Sequence, residues 1–395
     1  MKIVISGAGV AGPALAHWLL RGGHQVTIIE QADHFRTGGY IIDFWGLGYD
    51  LAERMGVLDT VRDHGYSVRE VRFVRDDGSK ASGFGVDVFR RMTGGRYTSL
   101  PRGDLANAIF DTVKGRVETL FGDSIAAIDQ DGDGVALRLD SGATIEADML
   151  IGADGLHSNV RHLVFGREDQ FERDLGYRVA AFNAPGYEPR DPDVYVTRSW
   201  PGRSLSRFAL ADGSTLFLFI LADEYLEGAL PDEPAARKTA LHRVFGGLGW
   251  ETSAILKAMD SAPSLYLDKV SQIVMPRWSK GRVALLGDAA ACVSLLAGEG
   301  TGLAMTEAYV LAGELARAGD DHAAAFTAYE DKLRGFINGK QAAARDFASS
   351  FAPKTRLGLF IRDTVVKMMK FPFVADRFVG NSVRDDFVLP DYPLD

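Results

Sequence analysis

The stretch VISGAGVAGPALAHWL, near the start of the chain, constrains the fold more than any other. A short β-branched run, Lys2 to Ser6, passes through Gly7, Gly9, Ala11 and Gly12 into a helical pattern. In a strand–turn–helix unit each glycine has its own task. Gly7 permits the tight turn, Gly9 lets the backbone approach a diphosphate, and Gly12 lets the helix pack closely on the strand. Pro13 suits the first turn of that helix, where its missing N–H is not needed. The helix is expected to run to about Leu20 and stop at Gly22 and Gly23. A second strand then spans Gln25 to Ile29 and ends in Glu30. A carboxylate there accepts both ribose hydroxyls of an adenosine and repels a 2′-phosphate, so the nucleotide expected is FAD or NAD.

The same layout recurs twice. In ADMLIGADGLHSNVRHLVFG a short buried strand, Met149 to Ile151, leads through Gly152, Asp154 and Gly155 to a helix that Ser158 can cap. In GRVALLGDAAACVSLLAGEGTG an apolar run, Val283 to Leu286, ends at a lone acid, Asp288. Glycines follow, and a helix begins near Thr301 and continues through Ala304, Ala308, Leu311 and Leu315. The free N–H groups at its start favour negative charge.

Composition narrows the function. With 395 residues and 46% hydrophobic content, the chain can build two or three lobes with substantial cores. A net charge of -9 disfavours a nucleic-acid partner, which calls for clustered Lys and Arg. The single cysteine, Cys292, excludes an internal disulfide and any multi-thiolate metal site. The histidines are scattered; even His157 and His162 would face different sides of a helix, so no metal is assigned. Glycines and Pro13 interrupt the apolar N-terminus, which does not read as a signal peptide, and no run approaches the roughly 20 apolar residues of a transmembrane segment. A cytoplasmic enzyme acting on a small molecule is expected.

In this order GAGVAG, GADG and GDAAACVSLLAGEG resemble the three fingerprints of the class A flavoprotein monooxygenases, the para-hydroxybenzoate hydroxylase fold. The resemblance implies that the first loop holds the ADP end of one FAD and the late loop its ribityl chain and isoalloxazine. It places Asp288 at the ribityl or pyrophosphate region, with Asp154 also in the cofactor set. The backbone from Leu296 to Gly302, with Gly298, Gly300, Thr301 and Gly302, lies beside the ring. LPRGDL matches a family segment whose arginine contacts FAD, here Arg102. RTGGYIIDFWG, Arg36 to Gly46 with Gly39, is similar to the loop entering the active site. GWETSAILKAM, at 249 to 259, and YLDKVSQIVMPRWSKGRVALLGDAA look most like the branch of tetracycline destructases and hydroxylases of polycyclic natural products.

The implied fold is α/β: a Rossmann-like FAD-binding domain, an interleaved antiparallel β-sheet substrate domain and a C-terminal helical segment. Residues 1–75, 103–168 and 276–350 form the FAD domain and 169–275 the substrate domain, to which 76–102 add strands. In that region short β-rich runs alternate with Asn-Ala-Pro-Gly, Trp-Pro-Gly and Asp-Gly turns. Phe182, Tyr195, Arg207, Phe217 and Phe219 are its inward-facing substrate candidates. Residues 351–395 form the last segment, whose helix Pro353 to Phe371 is expected to pack across both domains and cover the site; its five basic residues against one acid would also suit an anionic membrane surface.

The activity implied is hydroxylation of an aromatic or polycyclic, polyketide-like substrate through a C4a-hydroperoxyflavin. NADPH or NADH acts as a transient donor and O₂ as oxidant, with no catalytic acid or base singled out. Departures favour one alternative, a non-oxygenating flavin dehydrogenase or oxidase. Ala291, Ser294 and Leu295 stand where the family loop commonly has His or Tyr followed by proline, Glu299 replaces a common glutamine, and Trp45 a frequent arginine.

Overall fold

The computed structural model describes residues 1–35, 40–226, 230–231, 233–369, 371, 373–374 and 385–394. Gly39 therefore lies outside the described residues, as does part of the expected active-site loop. The first sheet has six strands, in the order Ser279–Lys280, Val283–Leu285, Met149–Gly152, Lys2–Ser6, Gln25–Glu30 and Glu118–Phe121. All neighbours pair in parallel except the outermost hairpin, Ser279–Lys280 with Val283–Leu285. Its central strands are buried on both faces, from Ile3, Val4 and Ile5 to Leu150, Ile151 and Ala284, as a parallel sheet covered by helices demands. The covering helices include Ala11–Arg21, Arg102–Asp111 and Gly300–Ala318. Trp18 and Tyr309 lock the first and last of these together edge to face, with ring centroids 4.9 Å apart.

The second large sheet has seven strands, Tyr266–Ile273, Glu172–Ala184, Thr215–Ala222, Arg203–Ala209, Val194–Trp200, Glu70–Val74 and Lys80–Gly85. It is antiparallel apart from the parallel pairing of Val194–Trp200 with Glu70–Val74. The strands it recruits from the first quarter of the chain thus begin at Glu70, inside the span assigned to the FAD domain. They end at Gly85 rather than near 102. Tyr97–Pro101 instead pairs with Ile41–Trp45 in a two-stranded ribbon beneath the sheet.

The strand alternation is as expected, but the face it presents is not. Phe182, Phe217 and Phe219 pack with Leu205 and Leu221 against Leu241, Phe245, Ile255 and Met259 of the helices Pro234–Phe245 and Thr252–Ser261. These rings are core, with Phe182 stacked on Phe217 at 5.0 Å. Arg207 shares their face, directly opposite Phe217, and pairs with Asp191 at 2.6 Å. The expectation that these four line the substrate pocket is therefore corrected. Strand periodicity defines two faces, while the helices at 234–261 decide which face is sealed. Tyr195 lies on the opposite face, against Phe208. There Val179, Ile220 and Val270 meet Leu296 and Ala352.

The helix His322–Phe351 buries Phe326, Tyr329 and Leu333, and Asp321 caps its start. Arg356–Met368 lies over the edge strand Lys80–Gly85 of the large sheet: Val366, with Met369 just beyond its end, packs on Val88 among Trp45, Phe73, Phe84 and Phe89. Its other side leaves Leu357, Phe360 and Ile361 exposed. Among the described residues no helix is long and apolar enough to cross a membrane. Residues 385–394 return as a strap along Gly300–Ala318, with Tyr392 donating to Glu314 at 2.5 Å and Tyr309 to the Pro390 carbonyl at 3.1 Å.

Candidate functional site

The first glycine turn separates fold-making glycines from one that leaves space. Gly7, at φ +109°, donates its N–H to the Ile29 carbonyl at 2.7 Å, and a Cβ there would lie 2.5 Å from the Ala153 carbonyl oxygen. A Cβ on Gly12 would collide with the Gly7 carbonyl. A Cβ on Gly9, chain neighbours aside, meets only Nη2 of Arg102, at 3.8 Å. That opening, bounded by a guanidinium, is the shape and charge a diphosphate needs. No side chain caps the helix Ala11–Arg21, so its first N–H groups face the same opening.

Glu30 ends the second strand with its carboxylate fixed by two backbone donors. Ala8 N–H binds Oε2 at 2.8 Å and Ala32 N–H binds Oε1 at 2.9 Å. One lone pair on each oxygen stays available for a ribose hydroxyl. The GADG turn meets this region through its backbone, because Asp154 accepts from Ser158 Oγ at 2.5 Å and from Val160 N–H at 3.0 Å. Ser158 in turn caps the helix Asn159–Val164. The fully buried Arg161 donates to the Ala289 carbonyl at 3.1 Å and ties this helix to the late loop.

The late loop turns at Gly287, φ +64°, where an added Cβ would come 3.3 Å from that of Ala11. Glu307 reaches back from its helix to accept the Gly287 N–H at 2.6 Å and the Tyr329 hydroxyl at 3.1 Å. Burial pushes Glu307 up to about 8. Asp288 follows the turn. Burial raises its carboxyl above the usual range, against the pull of the Arg102 guanidinium. A Cβ on Gly300 would stand 3.7 Å from Asp288 Oδ1, so Arg102 and Asp288 join the first glycine opening to the start of the helix Gly300–Ala318. Arg102 and Asp288 thus stand between the two glycine loops, an arrangement that fits an extended FAD.

The loop that the family commonly builds with proline is shaped here by hydrogen bonds. Ser294 Oγ accepts the Leu296 N–H at 3.2 Å, Gln272 holds the Val293 carbonyl at 2.7 Å, and Gln341 holds that of Cys292 at 3.0 Å. Gly298, at φ +71°, and Glu299 then border a cavity whose far wall is Asp43, Trp45 and Leu47. Thr301 is buried, and Gly302 packs on Gly48 with 3.5 Å between its would-be Cβ and the Gly48 Cα. Glu299 is bridged by Lys340, at 3.0 Å, to Asp385, at 2.8 Å, and Asp385 also accepts the Leu47 N–H at 2.9 Å. Burial lifts Glu299 to about 7 while Lys340 opposes the shift.

Asp43 was not singled out from the sequence. Its Oδ1 accepts the Tyr97 hydroxyl at 2.6 Å and the Ser99 hydroxyl at 2.5 Å, both from the neighbouring ribbon strand. Burial raises the Asp43 carboxyl, with these two hydrogen bonds opposing. Trp45 and Phe89 stack on either side of Tyr97, at 6.5 and 5.9 Å. The one available signal was an acid inside the apolar run Ile41–Trp45, on the same alternation as Ile41 and Trp45. Among the described residues no group of His, Cys, Asp and Glu could hold a metal ion.

A family model described as "FAD binding domain" matches residues 1–337. An uncharacterised protein of Mycobacterium tuberculosis is 39% identical over 356 residues, covering 89% of this chain and 94% of its own. A flavin-dependent monooxygenase of Legionella longbeachae is 32% identical and covers 99% of this chain and 98% of its own. The crystal structure of the tetracycline destructase Tet(55) superposes with a TM-score of 0.84 at 29% identity, over 99% of this chain and 98% of that one.

Proposed function

Because the chain belongs to the FAD binding domain family, whose model spans most of its length, we propose that it is an FAD-dependent monooxygenase. It hydroxylates a planar aromatic or polycyclic small molecule, with NADPH or NADH as transient donor and O₂ as oxidant. The observation that carries this reading is that Arg102, which borders the Gly9 opening, and Asp288, which borders the start of the Gly300–Ala318 helix, bring the two glycine loops together. When bound, FAD supplies the electron and oxygen chemistry. The chain's own residues bind and orient it. Gly7, Gly9, Ala11 and Gly12 shape the diphosphate opening, and Glu30 takes the ribose. Arg102 neutralises the diphosphate, and Asp288 accepts from the chain that follows.

Gly298, Gly300, Thr301 and Gly302 lie at the uncapped helix start, whose N–H groups favour negative charge on the ring. Glu299 does not cancel this effect, since Lys340 neutralises it. Trp45 lines the cavity with Tyr97 stacked on it, an aromatic surface suited to a flat ligand. The likeness to a tetracycline destructase, over nearly the full length of both chains, supports a polycyclic substrate class.

The test is NADPH and NADH oxidation by the purified yellow holoenzyme, with hydroxyanthraquinones compared with 4-hydroxybenzoate. The polycyclic compounds are expected to accelerate oxidation at least about tenfold over the substrate-free rate, roughly 1.4 kcal/mol of barrier. Stimulation by 4-hydroxybenzoate alone, with no binding of the polycyclic compounds, would overturn the substrate class.

A further inference from the structure

The helix Arg356–Met368 buries one side and leaves the other bare. Val366 anchors the inner side, while Leu357, Phe360 and Ile361 on the outer side are 67%, 70% and 52% exposed, and Met368 is also exposed. Leu357, Ile361 and Met368 stand four and seven residues apart with Phe360 beside them, so they form one band along the helix. A contiguous exposed apolar band of this kind marks an interaction surface. At the foot of the helix, between it and the strands Glu70–Val74, Lys80–Gly85 and Val194–Trp200, lies a cavity of about 260 Å³. Phe360 lines it together with four cationic side chains, Arg75, Arg198, Arg362 and Lys367, and one acid, Asp363. Asp363 is taken up by Arg362 at 2.8 Å, and Arg198 is held by Asp76 at 2.9 Å. The Arg75 side chain donates to Ser79 Oγ and to the Lys80 carbonyl, not to an acid, and Lys367 has no carboxylate within ion-pair distance among the described residues. Arg198 and Arg362 both donate to Ser199, one to its carbonyl and one to its hydroxyl, so two guanidiniums meet at one buried residue. Burial lowers Arg362 from its ordinary range, Asp363 opposes the shift, and the like charge of Arg198 adds to it.

We propose that this face docks on the surface of an anionic phospholipid bilayer. The helix lies in the plane of the interface, with Leu357, Phe360 and Ile361 among the acyl chains and the cationic cavity receiving a lipid phosphate. Charge complementarity selects this occupant. A second copy bound by the same face about a two-fold axis would set Arg75, Arg198 and Lys367 against their own counterparts, whereas anionic headgroups neutralise them. The chain as a whole carries a net charge of -9, so its remaining surface is repelled by the same bilayer, and this basic, apolar face is the one that docks. The proposal is independent of the reaction that the FAD site performs.

The experiment is flotation of the purified FAD-loaded full chain with vesicles of phosphatidylcholine alone and of equal parts phosphatidylcholine and phosphatidylglycerol. Partition onto the anionic vesicles is expected to exceed that onto the neutral ones by about tenfold or more and to fall as salt is raised. Phe360→Ser combined with Ile361→Ser, both at exposed positions, should keep the wild-type melting temperature and flavin absorbance and yet lose about tenfold or more of that partition. Arg75→Glu combined with Lys367→Glu should abolish the preference for anionic over neutral vesicles. Failure of the wild type to float with anionic vesicles would overturn the proposal, as would equal flotation by the wild type and both double variants. A vesicle-free dimer that the Phe360 and Ile361 substitutions dissolve, without flotation of the wild type, would overturn it in favour of a second copy. Inorganic phosphate that raises the melting temperature only when Arg75 and Lys367 are intact, again without flotation, would overturn it in favour of a small-anion site.

Discussion

At the scale of single residues, the three fingerprint glycines separate into two kinds. Gly7 and Gly12 have protein atoms where a Cβ would go, while Gly9 faces an opening. Gly9→Val should therefore fold with a melting temperature near that of the wild type yet copurify with little or no FAD, whereas Gly12→Val should lose stability itself. Absorbance at the flavin band and a thermal melt separate the two outcomes. Glu299 makes a pH prediction. Its carboxyl rises from 4.5 in the free residue to about 7 in the fold, so the folded chain binds more protons between these values. The stability it contributes is present below about 4.5 and is lost as pH rises through about 7. Wild type should lose up to roughly 3 kcal/mol over that window relative to Glu299→Gln, read by denaturant titration at several pH values. The glycines and Glu30 were legible in the sequence because each meets a local backbone demand at fixed spacing. Asp43, Glu307 and Lys340 were not, because their partners Tyr97, Gly287 and Asp385 come from distant segments.

At the scale of elements, the strands and helices around the three fingerprints begin and end close to where their sequences say. Lys2–Ser6, Ala11–Arg21 and Gln25–Glu30 follow from β-branched runs, Pro13 and the glycine pair at 22 and 23. The late helix starts at Gly300, one residue before the expected Thr301. What sequence pattern left open was the orientation of the large sheet. Its alternation is sound, but two helices inserted before its last strand, Tyr266–Ile273, cover the face that carries Phe182, Phe217 and Phe219. Phe217→Ala should consequently cost about 3–5 kcal/mol of stability as a core cavity, while substrate KM in the surviving folded enzyme stays close to that of the wild type. A large KM change with unchanged stability would return Phe217 to the pocket. Pairing across the chain was equally hidden: nothing local in Glu70–Val74 announces that it joins Val194–Trp200.

At the scale of the whole molecule, the chain builds a parallel sheet and a mainly antiparallel one, and its last segments pack on both. The Arg356–Met368 helix lies over the edge strand Lys80–Gly85 of the large sheet, the 385–394 strap fixes the late helix through Tyr392 and the Pro390 carbonyl, and its Asp385 holds Leu47 and Lys340. These long-range closures explain why a cavity bordered by residues as far apart as Asp43 and Asp385 can form at all. The departures at Ala291, Ser294 and Leu295 do not open the loop, since Gln272, Gln341 and Ser294 hold its backbone. The loop backbone is thus held without proline, and on the proposed function oxygen transfer is expected to persist. The most direct measurement is turnover of a polycyclic phenol under ¹⁸O₂ with NADPH or NADH, followed by mass spectrometry of the product. One labelled oxygen atom per product molecule, with nicotinamide consumption accelerated by the substrate, is the predicted result. Product formed under strict anaerobiosis, with no label incorporated, would contradict the account and assign the protein to flavin-dependent dehydrogenation.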